Sequence, residues 1–293
     1  MLAGGDALGE NDLELSPGLS VEPGIVSGLG PFHDEVVVGV GRITPHHAIA
    51  ARACLPRTTL IILTTGVIMS CVQCIGIEEM FDERRAASEL RRYRRRGPGK
   101  TSRLLVESIT AEGVTGLSVL DIGGGLGAVH LGLLSAGAGQ AVDVDASAGY
   151  LKAAKQEAAR QGVAGRIRHL HGNFVDLAQE VTPADIVTLD RVICCYDDAQ
   201  SLLDSSAAKA RSILGLVYPI DSRLMRIARG LLNFLLRTLR KRFRIFVHSS
   251  AQVDAIAGSH GFLKRNYRKH GIWQVVVYAK AINGSLTGGS ARL

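Results

Sequence analysis

From Leu117 onward, short apolar runs alternate with longer stretches in which apolar residues recur every three or four positions. The short runs fall at 117–122, 139–145, 166–171, 184–190 and 212–218, and their length and Val/Ile/Leu content mark them as buried strands. The longer stretches, at about 127–136, 147–161 and 199–210, carry the helical period. Two further extended runs, 262–269 and 272–280, close the pattern. Strands separated by helix-length connections build a parallel sheet covered on both faces. The expected fold class is therefore α/β, a doubly wound, mostly parallel sheet. Ligands in such sheets bind at the carboxyl ends of the strands, beside the point where the strand order reverses.

Ahead of this core, Ile77 to Arg96 reads as one helix rich in Glu, Arg, Ala and Leu. Gly97-Pro98 stops it, and Thr101 or Ser102 is positioned to cap a second helix running to about Glu112. Gly97-Pro98-Gly99-Lys100-Thr101-Ser102 superficially matches the end of a P-loop, but that motif needs a glycine where Arg94 stands and a strand before it, so no ATP site is expected. Arg91, Arg92, Arg94, Arg95 and Arg96 surround Tyr93 and go all round the helix. They read as a solvated helix end whose cations suit the dipole, and no nucleic acid is expected as partner.

Residues 223–241 pattern differently. At about 100° per residue, Leu224, Ile227, Ala228, Leu231, Leu232, Phe234, Leu235, Leu236 and Leu239 fall on one broad arc. Arg223, Arg226, Arg229, Arg237, Arg240 and Lys241 occupy the remainder. A helix of this kind either packs its apolar face over the sheet as a lid or lies on an anionic membrane; the lid is the expectation.

Residues 1–68 have no sustained period, and they hold three Arg against seven acids. They read as a disordered or over-extended leader, with Met69 the expected natural start. The apolar run Leu60–Met69 is shorter than the roughly 20 residues a spanning helix needs. The domain is expected over 69–283, with 284–293 a loose Gly/Ser tail. Of the chain's 34 basic and 27 acidic residues, 31 and 20 then fall in 69–293. That excess of cations admits an acidic substrate, an anionic membrane or nucleic acid. Five cysteines in 293 residues make no disulfide framework, so a cytoplasmic, reducing setting is expected. Cys71-Val72-Gln73-Cys74 lacks partners at metal-site spacing and reads as structural; no metal is expected.

The chemistry concentrates at Val119-Leu120-Asp121-Ile122-Gly123-Gly124-Gly125-Leu126-Gly127, where an apolar strand carrying an acid near its end enters a glycine-dense turn. Glycines let the backbone turn tightly and approach a ligand closely. Asp145 closes the next strand, where a carboxylate can accept both hydroxyls of a ribose. This pairing resembles the binding site of class I S-adenosylmethionine (SAM) methyltransferases, and the likeness covers about residues 77–281. It implies a Rossmann-like methyltransferase fold with N-terminal helices, a helical insertion after strand five, a final antiparallel strand pair, and SAM as cofactor. It further implies that Asp121 orients the methionine ammonium, and that Gly123, Gly125 and Gly127 make room for the methionine and sulfonium. Asp145 would hold the ribose, Asn173 would accept from the adenine amino group where an Asp commonly stands, and Phe174 would pack on adenine or join the core.

The segment Leu189-Asp190-Arg191-Val192-Ile193-Cys194-Cys195-Tyr196, with Arg244-Ile245-Phe246-Val247-His248, is loosely similar to bacterial magnesium-protoporphyrin O-methyltransferase-like proteins. That looser likeness rests on 188–198, while the methyltransferase resemblance implies that 184–198 passes the methyl donor and lines the acceptor pocket. The acceptor is then a small or medium-sized molecule, of acidic, aromatic or lipidic character, with oxygen the favoured methyl-accepting atom. Candidate bases are His248, Tyr196 and Asp190; Cys194 and Cys195 read as apolar pocket or core residues. Gly123-x-Gly125-x-x-Ala128 also fits the dinucleotide fingerprint, so an NAD-dependent oxidoreductase remains an alternative, as does a non-catalytic SAM- or RNA-binding module. The acid near the end of the first strand speaks against NAD.

Overall fold

The computed structural model describes residues 72–280, with side chains described from residue 75. The leader, the Met69 start, the Cys71 and Cys74 side chains and the 284–293 tail lie outside the described residues. Three helices come first: α1 (Val72–Met80), α2 (Glu83–Arg96) and α3 (Lys100–Thr110). The core then alternates β1 (Ser118–Ile122), α4 (Ala128–Ser135), β2 (Gln140–Asp145), α5 (Ala148–Arg160), β3 (Ile167–His171) and the short α6 (Phe174–Leu177). It continues through β4 (Ala184–Asp190), α7 (Ala199–Lys209), β5 (Ala210–Pro219), α8 (Arg223–Thr238), α9 (Ser250–Ser259), β6 (Phe262–His270) and β7 (Trp273–Lys280).

The seven strands form one sheet in the order β3-β2-β1-β4-β5-β7-β6. β1 to β5 are parallel, and β7 enters antiparallel between β5 and β6. The order reverses between β1 and β4, so the carboxyl ends of β1, β2 and β4 border one crevice. Alternate residues of each strand feed opposite faces. Val119, Ile186 and Val275 pack with Leu105 and Ile109 of α3 and Leu133 of α4. Leu120, Val187 and Val276 pack with Leu202 of α7 and Val253 of α9. Trp273 packs at the margin of the first of these cores. β6 is the edge strand, and its exposed Lys264, Arg265, Arg268 and Lys269 guard it against pairing with another chain.

Four expectations need correction. The single helix over 77–96 is two helices, because the Asp82 carboxylate accepts the N–H of Arg85 at 2.8 Å and starts α2 afresh. The α3 cap is Gly99; Thr101 and Ser102 are helical and buried, and the Ser102 hydroxyl donates to Asp190. α9 is a helix that the apolar pattern did not reveal. The insertion after strand five is present as α8, but its apolar arc faces solvent rather than the sheet: Leu224, Leu231 and Phe234 are 74%, 68% and 69% exposed. The final antiparallel pair is as expected.

α2 packs on α5 through Ala86, Leu90 and Tyr150, and its arginine-rich end follows them. Of its cations, Arg94 reaches the buried Glu157 at 2.8 Å. Burial opposes charge on Glu157, but Arg160, Gln161 and Arg94 together outweigh it and hold the carboxyl at about 2. A carboxyl depressed in the folded state adds stability above its unfolded value near 4.3 and loses it as pH falls toward the folded value. Glu157→Gln should therefore lower the urea midpoint at pH 7, and the gap to wild type should narrow as pH falls from about 4 toward 2. Urea titrations of both proteins over that range measure it; a constant gap would refute the ion-pair account.

Candidate active site

Gly123 follows β1 and donates to the Val144 carbonyl at 2.6 Å, which ties the turn to β2. Gly123, Gly125 and Gly127 have φ of 64°, 59° and 85°, and Gly127 caps α4 in the left-handed region. A side chain at Gly123 would also strike Val192, 2.5 Å from its Cγ2, so the cofactor-side turn and the turn after β4 are in direct contact. A side chain at Gly124 would strike the Asp143 carboxylate. The cradle therefore depends on backbone that only glycine supplies.

Asp121 is fully buried. Its Oδ1 accepts the Thr188 hydroxyl of β4 at 2.7 Å, and its Oδ2 lies 2.9 Å from His130 Nδ1 of α4. Asp121 therefore acts behind the turn, bracing β1 against β4 and α4. Asp145 stands at the β2 tip, accepting the Gly125 N–H at 2.8 Å on one oxygen and the Ser147 N–H at 2.8 Å on the other. Each oxygen keeps a second lone pair for a hydroxyl. Burial pushes its carboxyl up to about 6, against the pull of the Ser147 and Gly125 N–H groups, while the charges of Asp121 and Glu78 add to the rise.

Beneath the turn lies a second buried acid that the sequence reading passed over. Asp143 is fully buried on β2 with His169 Nδ1 at 2.9 Å. Burial pushes it up to about 8 despite the nearby His130. An acid at an inward position of an apolar strand was the available signal. Thr188 and His130 are further supporting residues without a local signal, since only the fold brings them to Asp121.

The remaining candidates form a chain of contacts on the far side of the crevice. Asn173 caps α6, and its carbonyl oxygen accepts the Tyr196 hydroxyl at 2.9 Å and, more weakly, the Val175 N–H at 3.4 Å. That oxygen is thus already engaged, in contrast to the expected role on an adenine amino group. Phe174 is buried in the main core, so the core reading replaces packing on adenine. The His248 ring stacks on Phe246, with Nε2 2.9 Å from the Tyr196 carbonyl. Burial lowers its pKa, against the pull of the Tyr196 and Ile193 carbonyls. Asp190 accepts from Ser102 of α3 and from Arg191 Nε at 3.2 Å. Arg191 holds φ at 64°, a strained conformation for a non-glycine residue. It persists because its N–H donates to Val217 and its carbonyl accepts the thiols of Cys194 and Cys195. The two thiols thus help to shape the turn, a role beyond the apolar pocket or core placement expected of them. Tyr196, Asn173 and His248 come together; Asp190 is tied separately to α3.

The N-terminal helices cover the β2 side of the crevice. Ser147 donates to the Phe81 carbonyl at 2.6 Å, Glu78 accepts the Ala148 N–H at 3.3 Å, and Phe81 packs edge-on against both Tyr150 and Phe243.

Residues 119–211 match a family model described as a methyltransferase domain. Among solved structures, the chain is similar to magnesium protoporphyrin IX methyltransferase from Synechocystis PCC 6803 with bound SAH, at 18% identity and a TM-score of 0.53, covering 71% of this chain and all of that one. The same enzyme with bound SAM gives a TM-score of 0.52 at 18% identity over 74% of this chain and 100% of that one. An O-methyltransferase family protein from Burkholderia thailandensis gives 0.56 at 15% identity, covering 71% of this chain and 64% of that one. No curated protein matches the chain. The strand order, with its antiparallel β7, and the braced acid at the first turn fit this class and not a dinucleotide-binding oxidoreductase. Residues 119–211 thus carry a methyltransferase domain, and the chain shares the fold of these SAM- and SAH-bound methyltransferases. The residues fit the cofactor: a glycine cradle that any side chain would fill, and a strand-tip carboxylate with lone pairs to spare.

If the Asp145 carboxylate holds the ribose, affinity should fall as it protonates. Calorimetric titration with S-adenosylhomocysteine should show binding about tenfold weaker at pH 5 than at pH 7, with Asp145→Asn weak and independent of pH. A flat wild-type profile would remove Asp145 from the role.

Proposed function

We propose that the protein transfers a methyl group from SAM to a small or medium-sized organic acceptor, with oxygen as the favoured acceptor atom. The observation that carries the reading is the contact between Gly123 and Val192. It makes the wall of the cofactor cradle and the wall of the acceptor-side turn one and the same. SAM supplies an electrophilic methyl on a cationic sulfonium. Asp145 and the Gly123–Gly127 turn hold the cofactor, and Asp121 braces the turn from behind. Tyr196 and the turn after β4 border the acceptor.

Catalysis on this reading is alignment, an orientation effect that can supply several kcal/mol. His248 and Tyr196 spend their polar groups on the Tyr196 carbonyl and Asn173, and Asp190 spends its own on Ser102 and Arg191. Those bonds suit positioning better than proton transfer. A carboxylate acceptor needs no base, and the excess of cations in the domain favours an acidic acceptor. The porphyrin and O-methyl chemistry named for the similar structures makes porphyrin and aromatic carboxylates the first acceptors to try.

The test is incorporation of label from methyl-labelled SAM across carboxylates, phenols and amines. Alkali-labile product is expected, as a methyl ester would give. Under alignment, His248→Gln should cost less than about tenfold in kcat, well short of the 10²–10⁴-fold that general-base catalysis contributes. A larger loss, with cofactor affinity unchanged, would make His248 the base and overturn the alignment reading.

A further inference from the structure

α8 is the one described helix whose apolar residues are turned outward, and the reason lies in how it is held. Asn233 is bonded to Ile245 through both ends of its amide: Nδ2 donates to the carbonyl at 2.7 Å and Oδ1 accepts the N–H at 2.9 Å. Leu236, the only buried residue of α8, sits one turn on, along the same stripe. Met225 and Arg229 complete that stripe and are partly covered. At about 100° per residue these four positions span one narrow sector, so the rotation of the helix about its axis is fixed. The sector beside it carries Leu224, Ile227, Leu231, Leu232, Phe234 and Leu235, all exposed. Rolling this arc onto the domain would break both Asn233 bonds and expose Leu236.

The other border of the inward stripe is basic. Arg226, Arg237 and Arg223 follow it round the helix, and Arg240 and Lys241 extend the charge past the helix end, all exposed. From Ser222 to Val253 the sequence contains no Asp or Glu. Scattered exposed apolar residues are ordinary, but a contiguous apolar strip rimmed by polar groups marks an interaction surface. The charge selects the occupant. A symmetric contact with a second copy would bring arginine against arginine, whereas an anionic headgroup layer matches the rim while the acyl boundary takes the leucines. Among the described residues, no helix is long and apolar enough to cross a membrane, so the contact lies along the surface.

We propose that α8 docks the protein side-on against an anionic bilayer, with Leu231 and Phe234 both within the buried strip. This goes beyond methyl transfer and stands whether or not that reading does. The test is flotation of the full chain, without SAM, with vesicles of phosphatidylcholine alone and with one quarter phosphatidylglycerol. Binding to the anionic vesicles is expected, falling as salt rises. The double variant L231D/F234D should reduce it about tenfold or more, and R223A/R237A should reduce it about tenfold. Both pairs are exposed, so melting temperature and S-adenosylhomocysteine affinity should stay at wild-type values. Flotation that survives L231D/F234D would assign binding to another segment, such as the apolar run 60–69, and overturn the proposal. So would the absence of flotation, or a dimer in buffer that L231D/F234D dissociates.

Discussion

The buried carboxylate of Asp121 is the constraint on which the site depends. A carboxyl group away from water is costly unless its polar atoms are hydrogen-bonded. Here the Thr188 hydroxyl and the His130 ring fill them, so one side chain joins β1 to β4 and to α4. This bond set fixes the direction in which the chain leaves β1. From that exit the glycine turn, the cap of α4 and the contact with Val192 all follow. Asp143 lies one strand over with one oxygen on His169 and Gly124 directly above it, and burial pushes its carboxyl up to about 8. The floor of the cradle is therefore polar and rigid, in a sheet whose other strand interiors are largely aliphatic.

Above that floor, the site is assembled from distant parts of the chain. Phe81, at the break between α1 and α2, lies between Tyr150 of α5 and Phe243 of the segment after α8. That segment runs on to Phe246, which donates to the Cys194 carbonyl, and to His248 on the Tyr196 carbonyl. Tyr196 in turn reaches Asn173 at the tip of β3. The β2 side of the crevice and the turn after β4 are thus linked by packed rings, hydrogen bonds and the segment 243–248. The helix break at Phe81-Asp82 is what lets the N-terminal helices take part: one straight helix could not place both the Phe81 ring and the α2 stripe against α5.

Much of this was legible in the chain. The strand and helix alternation, the glycine turn, Asp121 and Asp145 stand within short windows, and local period and turn chemistry report on short windows. What stayed hidden was non-local. Asn173 looked available for adenine because nothing near it in sequence reveals Tyr196. Ser102 looked like a cap because its partner, Asp190, is 88 residues away. Arg191 gave no sign of a left-handed conformation, which is imposed by bonds from β5 and from two thiols.

α8 draws the line between the two kinds of information most sharply. Its amphipathic pattern, its basic rim and its absence of acids were all present in the sequence, and they determined that a helix with one apolar arc would form. The same holds for the sheet: alternating burial set which strands exist and which residues each face receives. Which way the arc of α8 points, and which polar groups the candidate site leaves unengaged, was decided only in three dimensions. The amide of Asn233, bonded at both ends to Ile245, and the buried Leu236 mark the face of α8 that is held against the domain, and the leucine arc lies beside it in solvent. Periodicity reports that a face exists; only the partners brought by the fold determine what that face meets.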